Sequence, residues 1–358
     1  MSTESVLGVD IGGKNIKYTV LTPEKDKYHI DGGIIHSISM KMELDHILKR
    51  LLAKIPEVSC IGVTMSFPVS YRDFQKGVEK IVNSFVNSEP GAPVLLVDFQ
   101  GGLWSLRDAV TAEPVRFSAS NFFGSAFLAS KICDNAVMID TGSTSTDIIL
   151  IENGRPLIMG KDTEDIKRNL TGEMTWTGII HTLVSSLTHF VPFRGRLVRV
   201  NSSSTTTNDI YNVLNYAEMG SLLRIYGMKQ KEIEYYYLSV ASFFGYDLST
   251  IEQREIENAS RFVSIKHMET VAESLLRVIS GHNLSLQHTD FVLMGIGKDI
   301  LLKKVLNLLE VSKPRVFDVA DYVPSDSWTY GSALGVALHV LDHVTGEHMA
   351  ISEILEVN

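Results

Sequence analysis

Cysteine is nearly absent from this 358-residue chain: Cys60 and Cys133 stand far apart in sequence. Two such residues form neither a disulfide framework nor a zinc set, and their scarcity predicts a reducing, cytoplasmic setting. Long apolar runs are also missing. No stretch reaches the roughly 18 consecutive apolar residues of a membrane span, so no membrane association is expected. The opening MSTESVLGVDIGG lacks the basic-then-apolar plan of a signal peptide. Positive charge is in deficit, 33 Lys and Arg against 42 Asp and Glu, for a net charge of −9. That balance argues against a nucleic-acid partner, which needs a basic footprint, but leaves room for a small anion held by local loops or a metal. What remains is 44% hydrophobic residues and no low-complexity tail, enough for about two to three domains or one large bilobed unit.

Hydrophobic spacing predicts alternating strands and helices. Val6–Asp10, Asn15–Leu21 and His29–Ser39 read as strands, Met42–Ile55 as a helix, Cys60–Thr64 as a buried strand, Asp73–Phe85 as a helix and Val94–Val97 as a strand ending at Asp98. This is the rhythm of an α/β domain. The pattern then restarts with a helix over Asn121–Ile132, N-capped by Asn121, a strand over Ala136–Asp140 and another over Asp147–Glu152 before the turn signal Asn153-Gly154. Residues 6–21 and 136–152 therefore share one plan: apolar strand, Asp, Gly-containing turn, alternating strand. Residues 160–260 are less regular and include the polar run Asn201–Asn208, read as a linker or a site-facing loop, and the Tyr235–Tyr237 cluster, read as core or interface. Glu255–Ser280 reads as a long helix, Phe291–Met294 as a strand, Asp299–Leu309 as a helix, and Tyr330–Val340 as a small-residue helix able to pack closely on a sheet.

Three elements carry chemistry. Asp10 with Gly12-Gly13 places a carboxylate at a strand end beside a turn whose amides can cradle phosphate, with Lys14 in the same turn. Asp140-Thr141-Gly142-Ser143-Thr144 with Asp147 repeats that arrangement, and Gly295-Ile296-Gly297 follows a third apolar strand, where a helix start admits close approach of a phosphate-bearing ligand. Each alone is equally a tight hairpin whose acid caps its own turn. Together they point to a polyphosphate clamped from two sides, with Asp10 and Asp140 facing one another and holding a divalent cation.

The trio resembles the phosphate 1, phosphate 2 and adenosine motifs of the actin/heat-shock-chaperone/sugar-kinase (ASKHA) superfamily. More specifically, the chain is similar to an archaeal hydantoinase A/oxoprolinase-related group linked to tetrahydromethanopterin C1 transfer. The likeness rests on LGVDIGGKNIK at 7–17, VTMS at 63–66, VDFQGG at 97–102, ASNFFGSA at 119–126, MIDTGSTSTDIILI at 138–151, LTGEMTWTGIIHT at 170–182, VPFRGR at 191–196 and TTTNDIYNVL at 205–214. The resemblance implies two RNase H-like α/β domains around a cleft, residues 1–115 with 328–358 and residues 116–327 with an insertion around 160–260. It implies an enzyme of methanofuran biosynthesis that condenses an aminomethylfuran-methyl diphosphate with γ-glutamyltyramine, with Mg²⁺, possible ATP, a phosphorylated or diphosphorylated small-molecule partner and a possible homodimer. The alternatives are an ATP-dependent kinase or hydantoinase-type hydrolase, and a non-catalytic nucleotide-switched actin-like protein.

Departures narrow the reading. Thr64-Met65-Ser66-Phe67-Pro68 lacks the glutamate of the group's T-x-E-L pattern, and His181 stands where Arg is common. Asn121 is followed by Phe122-Phe123, which cannot accept a proton as a sugar kinase's base must; Asp98 is a substitute from a neighbouring strand end. Thr175 and Thr177 add polar candidates. The catalytic candidates are Asp10, Asp140, Glu173 and Arg194; the ligand-binding candidates are Gly12, Gly13, Lys14, Gly142, Ser143, Thr144, Gly295 and Gly297; Asp10 and Asp140 are the metal candidates. Glu173 is equally a cap for the turn at Thr171. An acidic chain needs local positive charge to hold a diphosphate. Arg194, in the constrained Phe193-Arg194-Gly195 loop, is expected to point into the cleft, and Lys17, alternating with apolar residues, reads as exposed.

Overall fold

A computed structural model describes residues 4–13, 15–36, 43–66, 73–159, 165–201, 204–311 and 315–356. Strand alternation decides where the first acid goes. Along Val6–Ile11 (β1), Leu7 and Val9 pack outward against the helices Leu44–Leu52 and Phe74–Ser88, so Val6, Gly8 and Asp10 turn to the other face. β1 pairs antiparallel with Asn15–Glu24 (β2), which continues antiparallel into Lys27–His36 (β3). On its other side β1 runs parallel to Cys60–Met65 (β4), and β4 to Val94–Val97 (β5), with Leu103–Ser105 (β6) antiparallel at the edge. The sheet order is β3-β2-β1-β4-β5-β6.

The second sheet repeats this plan. Ala136–Thr141 (β7) pairs antiparallel with Thr146–Glu152 (β8) and parallel with Phe291–Met294 (β13), which runs parallel to Val316–Asp318 (β14). Arg155–Leu157 (β9) and Met174–Thr175 (β10) flank β8. The echo between residues 6–21 and 136–152 is thus the same strand pair at the same place in each sheet. Val137 and Ile139 pack outward with the long helix Gln253–Gly281, leaving Ala136, Met138 and Asp140 on the inward face.

Two helices fill the layer between the sheets. Asn121–Ser130 and Gly331–Thr345 join Val6 and Cys60 of the first sheet to Met138 and Val292 of the second in one apolar core. Small residues let them approach. A Cβ at Gly335 would lie 1.8 Å from the Gly124 carbonyl oxygen, and one at Gly8 2.2 Å from the Ala333 carbonyl. Gly335→Ala is expected to force the helices apart and to lower stability by about 2–3 kcal/mol, read as a drop in the chemical-denaturation midpoint; an unchanged midpoint would contradict this packing.

A separate core lies in residues 184–263. It gathers the hairpin Phe190–Phe193 (β11) and Arg196–Arg199 (β12), the helices Thr207–Leu214 and Ile233–Ala241, and the first half of Gln253–Gly281 around Val191, Phe193, Ile210, Tyr236 and Val263. Tyr236 and Tyr237 are buried there and Tyr235 is exposed. The polar run ends as a helix start: Thr206 and Asp209 form a capping box, and Thr205 hydrogen-bonds Ser239. Ser202 and Ser203 lie outside the described residues. Two local expectations change. Ser120, not Asn121, occupies the N-cap of the helix Asn121–Ser130, and the helix expected over 299–309 begins as a wider π-helical turn, Lys298–Leu302, before Lys303–Leu308. No helix among the described residues is long and apolar enough to cross a membrane.

Candidate functional site

Register places the charges. In the β1–β2 hairpin Asp10 lies opposite Lys17; in the β7–β8 hairpin Asp140 lies opposite Asp147. Paired residues share a face, and both inward faces meet the same helical layer. Each acid is held by a serine of the helix packed on its sheet. Ser332 donates to Asp10 Oδ2 at 2.5 Å, and Ser125 donates to Asp140 Oδ2 at 2.6 Å. Lys17 Nζ in turn donates to Ser332 Oγ at 3.4 Å.

The electrostatics confirm that these groups form one cluster. Burial raises the Asp10 carboxyl above its ordinary value; Lys17 and the Ser332 hydrogen bond oppose this, and the Asp140 charge adds to it. For Lys17, burial works against the ammonium, but Tyr226, Asp10, Asp140 and Asp147 outweigh it and lift the pKa to about 12. Tyr226 is itself raised, first by burial, with Lys17 opposing and both aspartates reinforcing. Asp10 is 3% exposed, and its Oδ1 has no hydrogen-bond partner among the described residues. The hydroxyl of Thr64, opposite Asp10 on β4, is likewise buried without one. A second cation closes the far side: Arg168 Nη1 donates to Asp147 Oδ1 at 2.6 Å, and its guanidinium lies 4.1 Å from the Phe122 ring centroid. The phenylalanine that removes a kinase-type base is thus a platform for an arginine.

The glycines serve the turns in different ways. The Gly12 amide donates to the Asn15 carbonyl and the Gly142 amide to the Ser145 carbonyl, so both close their own hairpins instead of offering their N–H groups to a ligand. A Cβ at Gly13 or Gly142 would meet only ordinary contacts, Ser66 Oγ at 3.9 Å and the Ser145 carbonyl oxygen at 3.6 Å. Gly295, at φ +77°, is packed directly behind Asp140: a Cβ would lie 2.2 Å from Asp140 Oδ1. Gly297 donates its amide to the Thr141 carbonyl at 3.0 Å. These two glycines therefore shape the Asp140 turn. Ser143 is half-buried and Thr144 exposed at its tip. Lys14 lies outside the described residues.

Glu173, a catalytic candidate, stands in the structure as a brace. It is fully buried, and its carboxylate accepts from the Met159 amide at 2.6 Å and the Thr171 hydroxyl at 2.7 Å. The segment after it supports the second turn. The Thr146 hydroxyl donates to the Thr177 carbonyl, Ile179 N–H to the Gly142 carbonyl, and Ile180 and His181 N–H to the Ser143 carbonyl. A Cβ at Gly178 would stand 2.4 Å from Thr144 N, which explains the glycine. Thr175 is buried in this brace, whereas Trp176 is 55% exposed. Asp98 is neither an exposed acid nor a free base: it takes hydrogen bonds from Gln100 N, Gly102 N, Trp104 Nε1 and Arg116 Nη2.

Arg194 is the clearest correction. Arg194 and Gly195 both have positive φ, +48° and +74°, and form the two-residue turn that joins β11 to β12. The side chain is 47% exposed and bonds Glu255 bidentately, with the Thr250 carbonyl as a further acceptor. Its hydrogen bond is the largest cause holding the Glu255 carboxyl down at about 2. The fork is spent on the start of the helix Gln253–Gly281, not turned toward Asp10 and Asp140. Arg194→Ala is therefore expected to leave KM for an anionic ligand within about twofold of wild type, as for an exposed ion pair far from chemistry; a large rise in KM would return Arg194 to the site. The cations that stand beside the two acids are instead Lys17 and Arg168. The first, read as exposed from its alternation, is set opposite Asp10 by the hairpin register. Nothing in the local sequence marks the second.

Comparison with known proteins agrees with this frame. The chain is 27% identical over 325 residues to (4-{4-[2-(gamma-L-glutamylamino)ethyl]phenoxymethyl}furan-2-yl)methanamine synthase of Methanocaldococcus jannaschii, covering 89% of this chain and 95% of that protein. It is 25% identical over 195 residues to the synthase of the same name from Methanococcus vannielii, covering 54% of this chain and 83% of that one. Among solved structures, nucleotide-free acetone carboxylase superposes with a TM-score of 0.56 at 12% identity, over 94% of this chain and 70% of that chain. Hexokinase from Schistosoma mansoni reaches 0.50 at 12% identity, over 94% and 85%. The two-sheet architecture is thus shared with acetone carboxylase and hexokinase. Residues 71–297 match the hydantoinase/oxoprolinase family, and the chain belongs to that family.

Proposed function

We propose that this chain is a synthase of methanofuran biosynthesis that joins a phenol to a furan-methyl carbon, with diphosphate as leaving group. The observation that carries the reading is the charge cluster at the two hairpins: Asp10, Asp140 and Asp147 around Lys17, with one oxygen of buried Asp10 left without a partner. The product named for the relatives contains the bond such a site would make, a phenoxymethyl link to furan. The substrates are an aminomethylfuran-methyl diphosphate and γ-glutamyltyramine. The carbon–oxygen bond to diphosphate breaks, the phenol oxygen bonds to the freed methylene carbon, and the phenol proton passes to a carboxylate.

Each residue has a task on this reading. Lys17, with its pKa near 12, stays cationic at neutral pH and stabilises charge developing on the departing diphosphate. Asp10 would hold Mg²⁺ through its unpartnered oxygen, while its other oxygen accepts from Ser332. Ser332 orients Asp10, and Ser125 orients Asp140. The residues fit Mg²⁺: the unpartnered Asp10 oxygen is a hard donor, with Asp140 nearby. No group of three His, Cys, Asp or Glu among the described residues is placed to hold a metal alone, so the ion would share the substrate's phosphate oxygens and neutralise their charge. The two lobes would be residues 1–115 with 328–358 and residues 116–327. The amides of Gly13, Ser143 and Thr144 would complete a cradle.

The test is turnover. The purified chain with Mg²⁺, the furan-methyl diphosphate and γ-glutamyltyramine should give the ether and one equivalent of diphosphate by mass spectrometry, without ATP. A strict requirement for ATP, or no ether with both substrates present, would overturn the reading.

A further inference from the structure

The helix Tyr216–Ile225 ends in a tightly specified way. Gly227 has φ +61°, its amide bonds the Arg224 carbonyl, and the Met228 amide reaches back to the Leu223 carbonyl. This pair of bonds is the Schellman closure that a glycine just past a helix permits. Tyr226 is the residue between the helix and that glycine, so the turn fixes where its side chain starts. Leu222 and Leu223 anchor the same turn in the apolar core of the second sheet, with Val137, Ile139 and Ile148. Tyr226 belongs to that core and is 4% exposed.

The first sheet reaches the same place. Lys17 on β2 is in register with Ile34 on β3, and Ile34 packs against the core that contains Tyr226. Register partners share a face, so Lys17 stands where the first sheet meets that core. The charges agree with the packing. After burial itself, Tyr226 acts on Lys17 ahead of Asp10, Asp140 and Asp147, and Lys17 acts on Tyr226 ahead of Asp140 and Asp10. The phenol is thus a member of the cluster in which Ser332 joins Lys17 to Asp10.

The phenol has a proton to give. Burial, the largest cause, raises its pKa above the ordinary 10.0, so it is protonated at neutral pH. Its hydroxyl makes no hydrogen bond among the described residues. The Lys17 ammonium carries donors only and cannot accept from it. A donor left unpaired at a buried position is costly, and an anionic ligand oxygen arriving beside Lys17 would satisfy it.

We propose that Tyr226 is a further catalytic residue, whose hydroxyl donates a hydrogen bond to a phosphate oxygen of the diphosphate held at Lys17. The proposal rests on the reading of the Asp10–Lys17–Asp140 cluster as a diphosphate site. When the carbon–oxygen bond breaks, its electron pair stays with the diphosphate oxygen. Lys17 from the first sheet and Tyr226 from the core of the second stabilise that charge together, and the proton remains on Tyr226.

Tyr226→Phe deletes one oxygen that bonds nothing else among the described residues, so its thermal midpoint should equal or exceed that of wild type. Inorganic diphosphate with Mg²⁺ is titrated calorimetrically into both proteins, and kcat and KM are measured with the furan-methyl diphosphate and γ-glutamyltyramine. Diphosphate affinity should fall about tenfold and kcat at least tenfold, with KM for γ-glutamyltyramine within about twofold. The same loss of diphosphate affinity in a protein that shows no turnover would support the Tyr226 contact and overturn the synthase reading. Equal diphosphate affinity in wild type and Tyr226→Phe, with Lys17→Met weakened, would overturn the Tyr226 contact and leave the Lys17 reading standing. A rise in KM for γ-glutamyltyramine alone, or a lowered thermal midpoint, would overturn it too, by assigning the hydroxyl to the acceptor or to the fold. No binding of diphosphate by wild type would overturn the diphosphate site and this contact together.

Discussion

Lys17→Met should lower kcat by about a hundredfold, the scale for removing one preorganised electrostatic contact to a developing anion. The same change should alter how stability depends on pH. In the wild type the Lys17 pKa is raised from 10.5 to about 12, so its contribution is fully present below 10.5 and disappears as pH climbs through 12. That shift corresponds to roughly 2 kcal/mol. Without the ammonium, Asp10 loses the charge that most lowers its pKa, and only the Ser332 hydrogen bond is left to oppose burial and the Asp140 charge, which raise it. The variant should therefore be less stable at neutral pH and recover as the pH falls and Asp10 takes up a proton. Parallel denaturation curves from pH 5 to 12 and steady-state rates read both effects. Wild-type kinetics in Lys17→Met would remove the lysine from the reaction.

Asp10→Asn should separate function from stability. Asparagine is a weaker ligand for Mg²⁺ than a carboxylate, so kcat should fall by about a hundredfold. Stability should be unchanged or higher at neutral pH. A buried carboxyl with a raised pKa favours folding fully only below its ordinary 3.8, and that advantage is lost as pH rises through the raised value. Asparagine removes the charged form and keeps an oxygen that can accept from Ser332. Thermal midpoints and kcat measured on one preparation test the pair of outcomes. A variant that loses activity and stability together would mark Asp10 as a structural residue.

The sheets and the two acids were legible because strand, Asp and glycine turn occur twice in the same arrangement, and alternation along β1 and β7 sends Asp10 and Asp140 to the same inner layer. The small-residue helix was legible too: Gly331, Gly335 and the alanines between and after them allow the contacts at Gly8 and Gly124. The positive charge was not. Lys17 looked exposed because alternation assigns it to a polar face, but that face lies against a helix carrying Ser332. Arg168 sits on a short helix, and its partners Asp147 and Phe122 come from other elements, so no local spacing could reveal it. Arg194 attracted attention through its unusual loop. The unusual feature is a hairpin turn at positive φ, and the acid it meets, Glu255, arrives from a distant helix.

The central claim is that the Asp10–Lys17–Asp140 cluster holds a diphosphate. The most direct measurement is calorimetric titration of inorganic diphosphate with Mg²⁺ into wild type, Lys17→Met and Arg194→Ala. One site per chain is predicted in wild type and Arg194→Ala, with affinity at least tenfold weaker in Lys17→Met. Equal affinity in wild type and Lys17→Met, or binding that depends on Arg194 instead, would contradict the account.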